Sequence, residues 1–307
     1  MTSSTTLTAR SPEDLLAMVP VVLGFVPSDS VVMLTFGAEH TFHARVDLPE
    51  GSHELPHVVA ALLDPALQHR VRRVVFVIYS RHERRAQRAG RAVVSAFEGS
   101  GIVVVDALRA DGQRWFPLRG GHLGAPARGT PYDVSAHRFL AQSVVDGRVT
   151  HGSRAELAAT LAADPEAVRR TTELLAAHVP ADDDPDWVRD QVARHVTEGS
   201  TPTLADAARL LGALADDRVR DVVCALMTRQ TAAEHVRLWT VVLRGAPEPS
   251  VPAPAALLGF AAWLAGDGAL AWCAIDCCTR ADPDYGLAQV LAEILTRAVP
   301  PSVWEAG

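Results

Sequence analysis

Residues 71–79 read VRRVVFVIY, and the stretch Val74-Val75-Phe76-Val77-Ile78 contains no polar position. A strand with one wet face alternates between apolar and polar residues, whereas a strand covered on both faces does not. The pattern therefore predicts a central, doubly buried strand. Residues 81–98 follow with helical spacing and stop at Gly99–Gly101, where glycine suits a helix end. Residues 102–105 are apolar again. Strand, helix and strand in this order predict a right-handed crossover joining parallel strands. Asp111-Gly112 lies between Leu108 and Trp115 and predicts a hairpin turn.

Upstream, SVVMLTF at 30–36 is rich in β-branched and apolar residues, and 41–48 alternates through Phe42, Ala44, Val46 and Leu48. These two segments predict an antiparallel hairpin. Ser11-Pro12-Glu13-Asp14 has the residues of a helix start, and 56–69 has an amphipathic helical pattern. Residues 117–134 are rich in glycine and proline and predict a long loop, the kind that often carries function.

From about residue 135 the period is helical throughout. Helices are predicted over 187–197, 203–215, 217–228 and 231–244, and Asp164-Pro165 marks another helix start. Pro247, Pro249, Pro252 and Pro254 predict a semi-rigid connector. Beyond it, Leu258-Gly259, Gly266-Asp267, Ala271, Ile275, Cys278 and Pro283 fall at tetratricopeptide spacing, without a second copy at the required period. The expected fold class is thus an α/β part with a mixed sheet over 1–134, then an all-α, tetratricopeptide-like part over 135–307.

Composition narrows the function. With 307 residues and 48% hydrophobic content the chain can build one large core or two ordinary ones. A formal net charge of −7 argues against wholesale nucleic-acid binding. Arg81, Arg84, Arg85, Arg88 and Arg91 nevertheless share one side of a helix, with a solvated face as the ordinary explanation. Residues 1–10 have no apolar core of a signal peptide, and no apolar run is long enough for a membrane span. The four cysteines lack the paired spacing of a secreted framework. A cytoplasmic protein without membrane contact is expected.

No phosphate-loop, dinucleotide, His-Glu-x-x-His or Gly-x-Ser-x-Gly motif occurs, and no cofactor or metal is expected. Cys273, Cys277 and Cys278 have the spacing of a soft-metal site but are more simply buried apolar residues. Open α/β sheets bind ligands beyond the carboxyl ends of their strands. Tyr79, Ser80, His82 and Asp106 are expected there, with Arg114, His122 and Tyr132 converging from the hairpin and loop.

The phrase Asp14-Leu15-Leu16-x-x-Val19-Pro20-x-x-Leu23-Gly24-Phe25-x-Pro27-x-Asp29-Ser30-Val31-Val32 resembles the opening of an actinobacterial family, the domain of unknown function 4192 family. Leu258-Gly259-Phe260-Ala261-Ala262-Trp263-x-Ala265-Gly266-Asp267-Gly268-Ala269, Asp282-Pro283-x-Tyr285 and Pro300-Pro301-x-x-Trp304 resemble its closing part. The resemblance implies an actinobacterial, cytoplasmic origin and no particular activity. Members often carry a Cys-Cys-Pro cluster after the Arg-Trp matched by Arg114-Trp115. Here Gly121–Pro126 contains no cysteine, so no metal or redox role is carried over. The reading that follows is a binding or regulatory protein that engages a protein partner, a second copy of itself or a small ligand. The rival is a hydrolase or transferase acting on a small metabolite, with its site near Ser80 and Asp106 under the loop 117–134.

Overall fold

The computed structural model describes residues 8–38, 41–119, 128–177 and 184–304. The chain divides into two compact units, residues 1–154 and 155–307.

The first unit is built on a six-stranded sheet. Helix α1 (Pro12–Leu23) starts where the Ser11 side chain accepts a hydrogen bond from the Asp14 N–H, and closes at Gly24, whose φ of 75° suits glycine. Strands β1 (Ser30–Phe36) and β2 (His43–Asp47) form the expected antiparallel hairpin. Helix α2 (Leu55–Gln68) leads to β3 (Arg73–Tyr79), and α3 (Glu83–Gly99) crosses over to β4 (Val103–Ala110). Short strands β5 (Arg114–Pro117) and β6 (Thr130–Pro131) complete the sheet in the order β2-β1-β3-β4-β5-β6. Only β3 and β4 are parallel; the other neighbours run antiparallel.

The core explains the unbroken apolar run. Val74, Phe76 and Ile78 pack with Leu62 and Ala66 of α2 and with Ala89, Val93 and Phe97 of α3. Phe76 and Phe97 meet edge to face at 5.0 Å. The opposite parity, Val75 and Val77 with Val32 and Leu34 of β1, is buried as well. Both faces of β3 are therefore dry, as a strand without alternation requires.

Two boundaries differ from the sequence reading. Strand β4 does not stop at residue 105 but continues to Ala110. Its register slips opposite Val74 and Val75, and Asp106 bonds the Ala107 N–H with its own carboxylate at 2.8 Å. The polar residue is satisfied locally, so the strand runs through it. The α/β unit also closes after Arg154 rather than after Val134. Helix α4 (Arg138–Val145) packs on α1, where His137 Nε2 lies 3.1 Å from Asp14 Oδ1. The backbone pairs of His151 with Gly24 and Val26 tie the following segment to the same unit.

The second unit is helical. It holds α6 (Pro165–Ala176), α7 (Asp184–Glu198), α8 (Leu204–Ala213), α9 (Asp217–Leu226) and α10 (Ala232–Arg244), after a short α5 (Arg154–Ala159) at the junction. Then come α11 (Pro252–Leu264), α12 (Gly268–Ala281) and α13 (Gly286–Thr296). Pro252 and Pro254 are not part of a connector. They fill the first turn of α11, where an N–H has no intrahelical partner to lose. Every residue from Pro254 to Leu264 is buried, so α11 is the apolar centre on which α10, α12 and α13 pack. A Cβ added at Gly259 would sit 3.6 Å from the Ala271 carbonyl, so α11 and α12 do approach closely. Cys273 and Cys278 are buried and in no disulfide; Cys278 donates to the Pro252 carbonyl, and burial pushes its pKa up to about 12. Among the described residues no helix is long and apolar enough to cross a membrane.

Candidate functional site

The parallel pair β3 and β4 ends in register, Tyr79 beside Ala110. Beyond these ends lies a cleft of about 670 Å³. One wall is Leu16 and Pro20 of α1 with residues 26–29; another is formed by 79–82 and 110–112; the third is 132–135 with Leu140 of α4. All belong to the first unit.

Ser80 is the hinge of this site. Its N–H donates to the Ala110 carbonyl at 2.9 Å, which extends the parallel ladder by one bond. Its Oγ donates to Asp29 Oδ1 at 2.8 Å and accepts from the His82 N–H at 3.0 Å. Both roles of the buried hydroxyl are thus taken. Asp29 adopts a φ of 38°, a left-handed conformation that an aspartate tolerates when its surroundings hold it. The bond from Ser80 and the bond from the Leu48 N–H to the Asp29 carbonyl at 2.8 Å do so. Behind them the buried Arg109 places its guanidinium 3.9 Å over the Phe116 ring.

Two phenols face this cleft. Tyr79 is only 6% exposed, and its hydroxyl has no hydrogen-bond partner among the described residues. Burial, and then the neighbouring Tyr132, hold its ionisation well above the ordinary value. Tyr132 is positioned by β6 and by its N–H, which donates to the Gln113 carbonyl at 3.1 Å. Burial raises its pKa first and the Asp111 carboxylate second, against a lowering by a hydrogen bond to the Gly112 backbone. Gly129, just before β6, has a φ of 73°, and a Cβ there would lie 2.5 Å from the Phe116 ring. No other residue fits that approach.

Of the residues expected to converge, Tyr79, Ser80, His82 and Tyr132 line the cleft. His82 stands exposed at the start of α3, and its ring makes no capping bond. Arg114 is not in the cleft: its Nη1 donates to the carbonyls of Gly129 at 2.8 Å and Arg128 at 3.3 Å, which braces the segment that leads to Tyr132. Asp106 is not at a strand end but inside β4, beside the register slip. His122 lies outside the described residues, with the stretch 120–127 around it. Asp29, Asp111 and Ser135 line the cleft without having been singled out. Asp29 stands in the turn-forming run Pro27-Ser28-Asp29-Ser30, and Asp111 reads in sequence only as a turn residue.

The arginine face of α3 is divided. Arg85 turns inward and bonds the carbonyls of Leu48 and Pro49 at 3.0 and 3.3 Å, while Arg81, Arg84, Arg88 and Arg91 are exposed. A second depression beside Asp47, Glu50, Glu54 and His57 is more open, and Arg85 already fills part of its rim.

The model of a protein family described as "Domain of unknown function (DUF4192)" matches residues 12–302. No curated protein and no solved structure matches the chain.

Proposed function

We propose, from the premise that the chain belongs to the DUF4192 family of unknown function, that it is a binding protein whose α/β unit holds a small organic ligand in the cleft beyond β3 and β4. The observation that carries this reading is Tyr79. A buried hydroxyl without a partner is expensive; Tyr79 has none among the described residues, and the residue lines a cleft at the carboxyl ends of the parallel strands. Open α/β sheets bind ligands at such ends. The volume of about 670 Å³ lies within the roughly 300–1,000 Å³ of small-molecule sites. Apolar Leu16, Pro20, Val26 and Leu140 alternate around the cleft with a few polar groups, as in sites that orient a ligand on an apolar bed.

Binding is favoured over the hydrolase or transferase reading by the state of Ser80. A nucleophilic serine needs a base on its hydroxyl proton and a hydroxyl that a substrate can reach. Ser80 donates to the Asp29 carboxylate, but the residue is 5% exposed and its oxygen also holds the His82 N–H, so the hydroxyl serves the fold rather than a substrate. The same hydroxyl is well suited to fixing the loop 26–29 against α3. None of the four cysteines is in a disulfide, in keeping with a cytoplasmic site of action.

The test is a thermal-shift screen of the intact chain against a metabolite panel, repeated with Ser135→Trp. Ser135 is exposed at the cleft wall, so the indole occupies the cavity without disturbing the core. A ligand at about 100 times its dissociation constant stabilises by about 2.7 kcal/mol. Hits that vanish in Ser135→Trp support the reading; hits that persist in the variant place the ligand elsewhere and overturn it.

A further inference from the structure

We infer that the ligand of this cleft is a small organic cation, an amine with an apolar body and an oxygen acceptor beside the charge; this rests on the small-molecule reading above. The charge inventory of the walls carries the first part. Asp29, Asp111 and Asp133 line the cleft against Arg81, with the buried Arg109 beneath it 3.5 Å from the Ser80 carbonyl, so the acids outnumber the guanidinium groups three to two. These carboxylates come from three separate loops that the fold brings together: the approach to β1, the β4–β5 turn and the segment after β6. The Asp111 charge is felt at the Tyr132 phenol, which it disfavours from ionising. The excess of acids over guanidinium groups at this cleft favours a cation over a carboxylate or phosphate.

The second part comes from Tyr79, which is independent of those charges. Its hydroxyl is buried and held in the neutral form, so it has a proton to donate and no acceptor among the described residues. It gains a partner when a ligand brings an oxygen acceptor to this wall. Apolar Leu16, Pro20, Val26 and Leu140 take the remainder of the molecule. A charged head, an adjacent hydroxyl or carbonyl, and a compact apolar body together match the walls.

Three isosteric probes separate these features: 2-amino-1-phenylethanol, 1-phenylethane-1,2-diol and mandelate share the ring and the hydroxyl and differ in the terminal group. They are titrated calorimetrically into the intact chain at low ionic strength. The amine is expected to bind roughly tenfold more tightly than the diol, with no binding of mandelate. In the Asp29→Asn/Asp111→Asn double variant the ratio of amine to diol affinity falls toward one. The amides keep the acceptor oxygens that Ser80, Gln113 and Arg114 use, so the fold is retained. Mandelate or diol binding as tightly as the amine, no binding of any of the three, or a preference for the amine that survives the double variant would overturn the inference. Loss of the cation class alone leaves standing any panel hit that Ser135→Trp removes; loss of both means the cleft is not the site.

Discussion

Replacing Tyr79 by phenylalanine removes one atom from the wall of the cleft and ought to stabilise the protein. The residue is 6% exposed, and its hydroxyl makes no hydrogen bond among the described residues. An unsatisfied buried polar group costs about 1–3 kcal/mol. Phenylalanine keeps the ring and its packing, and the gap left by the oxygen is smaller than a methyl group, with a cost under about 1 kcal/mol. The net expectation is a gain of about 1 kcal/mol. For a unit of this size that raises the melting temperature by about 2–4 °C. The pH dependence sharpens the test. Burial raises the Tyr79 ionisation well above 10.0, so the folded state favours the neutral phenol. That contribution is complete below pH 10 and is lost as the pH rises further. The phenylalanine variant lacks this loss, so its advantage over the parent widens above about pH 10. Calorimetric melts of both proteins at pH 7 and in the alkaline range measure the two effects. A lower melting temperature for the variant at pH 7 would refute the reasoning, because it would mean that the hydroxyl is satisfied in the free protein.

Three further outcomes follow from the same geometry. Gly129→Ala combines a φ of 73° with a contact 2.5 Å from the Phe116 ring, so it is expected to cost about 2–4 kcal/mol in urea unfolding; a change under about 0.5 kcal/mol would contradict the packing of β5 on β6. Asp14→Ala removes the acceptor for the Arg10 N–H at 2.7 Å and for His137 at 3.1 Å, and is expected to cost about 2–4 kcal/mol. Burial raises the Asp14 pKa, but the bonds from Arg10 and His137 and the charge of Arg138 outweigh it and hold it below 3.8. The parent therefore keeps this contribution above that value and loses it only at lower pH, which acid titration of the two proteins compares. Burial lowers His235 and His43 to about 4 from 6.5, so their neutral forms are favoured and stability falls as the pH drops from 6.5 toward 4. Urea midpoints at pH 7 and pH 5 measure that fall, and His235→Leu is expected to make it shallower.

Where a segment's own pattern decides its structure, the fold was legible. The unbroken apolar run of β3 declared a strand dry on both faces, and the alternation of β2 declared a hairpin partner. The polar Asp106 hid the true length of β4, because its satisfaction by the next N–H is a local bond that no periodicity reveals. The membership of α4 was hidden for a different reason. It depends on a contact between Asp14 and His137, which lie 123 residues apart. The candidate site divides along the same line. Tyr79, Ser80 and His82 were visible as the end of the clearest strand. Asp29 and Asp111 were not, because only the sheet order β1-β3-β4-β5 brings their loops beside Tyr79. Arg114 was drawn to the site by its place in the hairpin, but its long side chain reaches the backbone of Gly129 instead.

Hydrogen–deuterium exchange of the intact chain, free and saturated with its tightest-binding panel compound, tests the central claim most directly. The account predicts slowed exchange at 26–29, 79–82, 110–112 and 132–135, the four segments that wall the cleft. Protection confined to residues 155–307, or none at these four segments while the compound is bound, would contradict it.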